Sequence, residues 1–229
     1  MGPLNKVILV TGANGGLGSS VTQAFLAAGA RVAGVSPNMR AIPDSNFLAV
    51  QASLSDLPAA RQAAETVIHK WGRIDALVHL VGAFAGGESV ADTDDATLDK
   101  MLDLNFRTAF HIFRAVIPHM RTQGSGRILA IGSRVATNPQ PMLGVYSASK
   151  AALVSLVQTV ALENKDRGIS ANVILPGTMD TPANRAANPG ADFSKWVQTE
   201  QVAALLVHLA GDQAQNITGA VIPVLGEEL

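Results

Sequence analysis

Cysteine is absent from the 229 residues, which excludes disulfides, thiolate metal sites and a cysteine nucleophile and leaves the chemistry to oxygen and nitrogen groups. Tyrosine occurs once, at position 146. An excess of charge of either sign is missing as well: 17 Lys+Arg against 18 Asp+Glu leave a formal charge of -1, so no global field gathers nucleic acid or an anionic membrane surface. No run of about 18 apolar residues occurs, since even the most apolar window, around 78–85, is broken by His79 and Gly82 and followed by Gly86 and Gly87. The first ten residues lack the apolar stretch and small-residue cleavage site of a secretory signal. A cytoplasmic protein without a membrane span is therefore expected.

No internal repeat, low-complexity tract or charge block marks a domain boundary. With 48% hydrophobic residues, the chain is long enough for one large core and short for two. One domain over 1–229 is the expectation. Within it, short apolar runs bounded by glycine or proline alternate with segments of helical period, as when parallel strands are joined by crossover helices. Strands are predicted at 6–11, 30–36, 47–51, 74–81, 127–133, 170–175 and 220–224, and helices at 16–28, 57–71, 95–121, 144–166 and 200–210. Most of the strand segments are nearly continuous apolar runs, as strands covered on both faces require. The prediction is an α/β fold with a doubly wound, mostly parallel seven-stranded sheet. The least regular stretch, 177–198, reads as a short flap or a surface loop.

Immediately after the first strand the chain reads Thr11-Gly12-Ala13-Asn14-Gly15-Gly16-Leu17-Gly18 and enters a helix. In such a strand–turn–helix, Gly12 makes the tight turn, Gly16 lets backbone approach a phosphate, and Gly18 lets helix pack on strand. The amides and dipole at the helix start then face a dinucleotide pyrophosphate. An acidic side chain after the second strand would accept from the ribose of NAD and repel a 2′-phosphate. Here that position holds Ser36, and Arg40 lies near enough in sequence to pair with a phosphate, so NADP(H) is favoured over NAD(H). Asn14 brings no second cation.

The strongest signal lies further on, where Tyr146 and Lys150 stand at i and i+4 and so share one helix face. Ser133 ends a predicted strand, and open α/β sheets place their ligands at strand carboxyl ends. A free tyrosine has a pKa of about 10; an ammonium at ~4 Å in an effective dielectric of ~20 contributes about 4 kcal/mol, enough to lower the phenol toward about 7. That range suits general acid–base catalysis. Ser133 would donate to a substrate oxygen that gains negative charge, and Lys150 would also hold a cofactor ribose. The expected reaction is hydride transfer between a nicotinamide cofactor and a small carbonyl or alcohol.

The chain resembles the short-chain dehydrogenase/reductase family over nearly its whole length. The matching segments are TGANGGLG, LVHLVG, LNFRTAF, Ser133 with YSASK, LPGTMDTP and ITGAVIPV. The resemblance implies a Rossmann domain in which Asn105, within a helix, completes a catalytic tetrad by binding a water on the proton path to Lys150. It also implies that Gly82, Pro176, Gly177 and Thr181 line the cofactor site, and that the protein is a homodimer or homotetramer assembled through long helices. Two positions depart from the family pattern: His79-Leu80-Val81-Gly82 stands for the usual Asn-Asn-Ala-Gly, and Ser53 for an aspartate facing the adenine. His79 reads as a buried structural residue. No histidine spacing suggests a metal site.

A narrower resemblance, carried by 81–87, 180–185 and 191–196, is to the dihydropteridine reductase branch, which reduces a quinonoid dihydropterin. Ser36, Ser133 and Asn105 depart from that branch and point back to carbonyl or alcohol chemistry. A non-catalytic dinucleotide sensor is the alternative of another class. In the flap, Trp196 either packs internally or faces substrate, and the apolar 82–87 stretch reads as a pocket wall.

Overall fold

The structure, a computed structural model, describes residues 4–227. Strands β1 (Val7–Thr11), β2 (Arg31–Ser36), β3 (Phe47–Gln51), β4 (Ala76–His79), β5 (Gly126–Ile131) and β6 (Ile169–Pro176) all join one sheet. Two short strands, β7 (Met179–Asp180) and β8 (Val197–Gln198), pair only with each other, and β9 (Val221–Val224) closes the main sheet. Its order is β3-β2-β1-β4-β5-β6-β9, and every pairing is parallel, a step beyond the mostly parallel sheet expected. The order reverses between β1 and β4, where such sheets open a crevice for ligands.

Helices α1 (Gly16–Ala27) and α7 (Thr199–Ala210) cover one face; α2 (Leu57–Trp71), α4 (Thr108–Gln123) and α5 (Gly144–Asn164) cover the other. The alternation of strand side chains assigns each residue to one of these layers. In β1, Val7 and Leu9 join the core under α2, α4 and α5, while Ile8 and Val10 join the core under α1 and α7. Fully buried Phe25 anchors α1, a side chain whose burial contributes about 1.5–3 kcal/mol. Helix α2 begins where Asp56 accepts from the Ala59 amide and stops at Gly72, which takes a left-handed φ of 79°, both ordinary terminators.

Two expected elements differ. The single helix read over 95–121 is α3 (Asp95–Leu102), a π turn at Asp103–Arg107, and then α4. The wide turn lies in the backbone hydrogen-bond register of the helix rather than in its hydrophobic period, so periodicity does not reveal it. The segment read as a short flap contains β7, the short helix α6 (Pro182–Ala187), a 3-10 turn and β8. Helix α5 with its following turn, 144–167, has the length and apolarity of a membrane span; it lies against β6 and contributes Leu153, Val157 and Val160 to the core.

Candidate active site

The turn after β1 is built on two backbone demands. Gly12 adopts φ +73°, and a Cβ on Gly18 would lie 2.3 Å from the Gly12 carbonyl oxygen, so neither position accepts a larger residue without rebuilding the turn. The turn is fastened to β2, because Gly12 N donates to Val35 O at 2.9 Å. Helix α1 then starts on Gly15, with no side-chain cap and no acidic residue in its first turn. Its leading amides are thus left to the cavity that Gly16, Leu17 and Gly18 line. An anionic group fits such a cradle.

That cavity, of about 580 Å³, runs from the glycine turn across the ends of β4, β5 and β6. It brings together Ser133, Tyr146 and Lys150 with Gly82, Pro176, Gly177 and Thr181. Among the described residues, Lys150 and Arg134 are the charged side chains that line it. A second cavity of about 260 Å³ holds Ser36 and Ser53 and shares Gly12, Gly15 and Gly82 with the first. Asn14 and Arg40 line neither. Asn14 donates its amide to Asn38 O at 2.8 Å, tying the glycine turn to the loop after β2, and Arg40 is exposed on that loop.

Ser133 follows β5 in extended conformation at the start of a 3-10 turn, and its hydroxyl acts on the Tyr146 phenol in the direction that favours phenolate. Tyr146 lies in the first turn of α5, and Lys150 follows one turn later on the same face. The buried Lys150 donates from Nζ to Ile131 O at 3.1 Å. Asn105 stands behind Gly82: a Cβ on Gly82 would come within 2.8 Å of Asn105 Oδ1 and 2.9 Å of Lys150 Nζ. The Asn105 amide also donates to Ser149 Oγ at 3.0 Å.

The direction of the Tyr146 shift corrects the sequence expectation. Burial pushes the phenol above its ordinary value of 10.0, and the Ser133 hydrogen bond pulls it only partly back. Lys150 is itself pushed down to about 8 by burial. Removing both groups from water disfavours their charged forms, a cost the sequence estimate of Coulomb attraction left out.

His79 is fully buried at the end of β4, with its pKa pushed down to about 3, first by desolvation and then by Lys150. Thr108 Oγ1 donates to Leu104 O, so it accepts from His79 Nε2–H at 3.4 Å. That tautomer leaves Nδ1 to accept from Thr11 Oγ1 at 2.8 Å. A neutral imidazole therefore cross-links β1, β4 and α4, the structural role expected of it.

Trp196 is 5% exposed and does not line the cavity. It packs on Phe193 with ring centroids 4.8 Å apart, and the Arg185 guanidinium covers the other ring at 4.7 Å. Of the two roles weighed for Trp196, internal packing is the one found. Sequence reasoning did not single out Phe84, Gln140 or Leu143, which line the cavity near Tyr146. For Phe84 the available signal was the apolar 82–87 stretch read as a pocket wall.

A profile described as short chain dehydrogenase matches residues 6–192. The short chain dehydrogenase adrF of Penicillium rubens is 30% identical over 241 residues, covering 95% of this chain and 94% of its own. A short-chain dehydrogenase/reductase from Serratia marcescens superposes with a TM-score of 0.87 at 32% identity, covering 98% of each chain. The 3-ketoacyl-(acyl-carrier-protein) reductase from Brucella melitensis, solved in complex with NADH, gives a TM-score of 0.89 at 26% identity over 99% of this chain and 100% of that one.

Proposed function

Because the chain belongs to the short-chain dehydrogenase/reductase family, we propose that it interconverts a small carbonyl and its alcohol with a nicotinamide dinucleotide, using Tyr146 as general acid and base. The observation that carries this reading is the convergence of Ser133, Tyr146 and Lys150 on the cavity that begins at the glycine turn. The dinucleotide, when bound, supplies or takes up the hydride. Gly12, Gly16, Leu17 and Gly18 would hold its pyrophosphate, and Lys150, Pro176, Gly177 and Thr181 its nicotinamide side.

In the reductive direction the carbonyl carbon gains a hydride and the oxygen gains a proton, so C=O becomes CH–OH. Ser133 donates a hydrogen bond to the oxygen as negative charge develops on it. Tyr146, kept protonated at neutral pH by its raised pKa, delivers the proton. Lys150, with a pKa of about 8, remains largely cationic at pH 7 and stabilises the phenolate left behind. Asn105, as the fourth member of the set, positions the backbone of Ala83 beside Gly82 and Lys150.

NADP(H) is read as the preferred dinucleotide over NAD(H) because Ser36 lines the second cavity without charge and no carboxylate of the described residues lines either cavity. Arg40 supports this less than its sequence position suggested, since it lies outside the lining. Pairing of α4 and α5 faces into a homodimer or homotetramer is supported by the exposed side chains Phe110 and Leu162.

The test is steady-state consumption of NADPH and NADH with a panel of ketones, aldehydes, diketones and a quinonoid dihydropterin. Tyr146→Phe is expected to lower turnover by roughly 10²–10⁴-fold while dinucleotide binding persists. Undiminished turnover in that variant would overturn the mechanism, and dinucleotide binding without turnover of any panel member would favour the sensor reading. Ser36→Asp is expected to shift preference toward NADH.

A further inference from the structure

Phe84 is 65% exposed, so burial in the core does not explain it. Its ring nonetheless meets Tyr146 edge to face, with centroids 5.1 Å apart and planes at 72°, and it lines the same cavity as Tyr146. The ring is held in place. A Cβ on Gly86 would lie 3.1 Å from Phe84 Cζ and 2.3 Å from Leu143 Cδ2, so the glycine lets the two side chains close on one another. Gly87 N then donates to Met142 O at 2.9 Å, stitching the loop after β4 to the loop before α5. Met142 itself stands at φ +63°, in the left-handed region where a non-glycine residue is uncommon and where strain gathers at ligand-binding sites.

We propose that Phe84 is a specificity-determining residue that selects carbonyl substrates bearing a flat aryl group next to the carbonyl. The proposal rests on the carbonyl reading of this same site. With the substrate oxygen at Ser133 and Tyr146, the substituent on the carbonyl carbon falls within reach of Phe84 and Leu143, both beside Tyr146 in the cavity wall. A saturated chain or ring gains only apolar burial there. An aryl group gains in addition the oriented ring–ring attraction, which amounts to roughly two- to tenfold in binding.

The experiment compares acetophenone with cyclohexyl methyl ketone, which differ in the flatness and π-system of the ring, in wild type, Phe84→Leu and Phe84→Tyr. Both kcat/KM and direct binding by saturation-transfer NMR in the presence of dinucleotide are read. Wild type is expected to favour acetophenone by roughly two- to tenfold, Phe84→Leu to bring the ratio near one, and Phe84→Tyr to keep it, with dinucleotide Kd unchanged in all three. An equal ratio in wild type and Phe84→Leu, or no aryl preference in wild type by either readout, overturns the proposal. Absence of turnover with both ketones, combined with Phe84-dependent aryl binding, overturns the carbonyl chemistry and upholds the aryl shelf.

Discussion

The side-chain amide of Asn105 pairs with both backbone groups of Ala83, Oδ1 accepting from the amide at 2.8 Å and Nδ2 donating to the carbonyl at 3.0 Å. The pair works like one rung of a sheet ladder, extended past β4 by a side chain from a helix. The π turn at Asp103–Arg107 accompanies this aim, as such turns often do at functional sites. The same loop carries Phe84, so one buried asparagine sets the wall beside Tyr146.

Asn105→Ala strands the amide and carbonyl of Ala83, a loss of about 1–3 kcal/mol, and is expected to lower the unfolding midpoint. It should lower kcat more than it weakens dinucleotide binding, because the glycine turn is untouched. Equal losses in both, with unchanged stability, would contradict the positioning role.

His79 makes the fold sensitive to acid. Its pKa is about 3 in the folded chain against 6.5 when solvated, so the unfolded state binds the extra proton between these values. Stability is complete above about pH 6.5 and declines as pH falls, by about 1.4 kcal/mol per unit. His79→Asn is expected to flatten this dependence in urea unfolding measured from pH 7 to pH 4.5. An identical slope in the variant would assign the sensitivity to other groups.

The two directions of reaction should part with pH. Reduction needs the protonated phenol, which the raised pKa of Tyr146 preserves, and the Lys150 cation, which is lost as pH rises through about 8. Carbonyl reduction is therefore expected to be level through neutral pH and to fall above about 8. Alcohol oxidation needs phenolate, so the ratio of oxidation to reduction in kcat/KM is expected to climb over the same window. A reduction rate that increases above pH 8 is incompatible with this assignment.

Trp196→Ala should act on stability rather than on binding. Removing a buried tryptophan costs about 3–5 kcal/mol, and here it also strips a partner from Phe193. At a temperature where the variant stays folded, substrate and dinucleotide affinities are expected to match wild type. A selective loss of substrate affinity would place the indole in the substrate pocket.

Interactions between residues near in sequence were legible without the fold. The seven apolar runs, the glycine turn after β1, and the one-turn spacing of Tyr146 and Lys150 rest on strand alternation, backbone sterics and helical period, all of which act over a few residues. The reading of His79 as structural belongs with them, since a histidine inside an apolar run at the sheet centre lacks water to ionise into.

What depends on distance through space was decided only by the tertiary structure. Folding carried Asn105 to Ala83 across 22 positions and set Phe84 on Tyr146 across 62, contacts with no periodic trace in the chain. It also left Asn14 and Arg40 outside the cavities and buried Trp196. Sequence proximity supplied an attraction between Tyr146 and Lys150. The fold supplied the desolvation that opposes ionisation of both, and burial is a property of the whole packed chain.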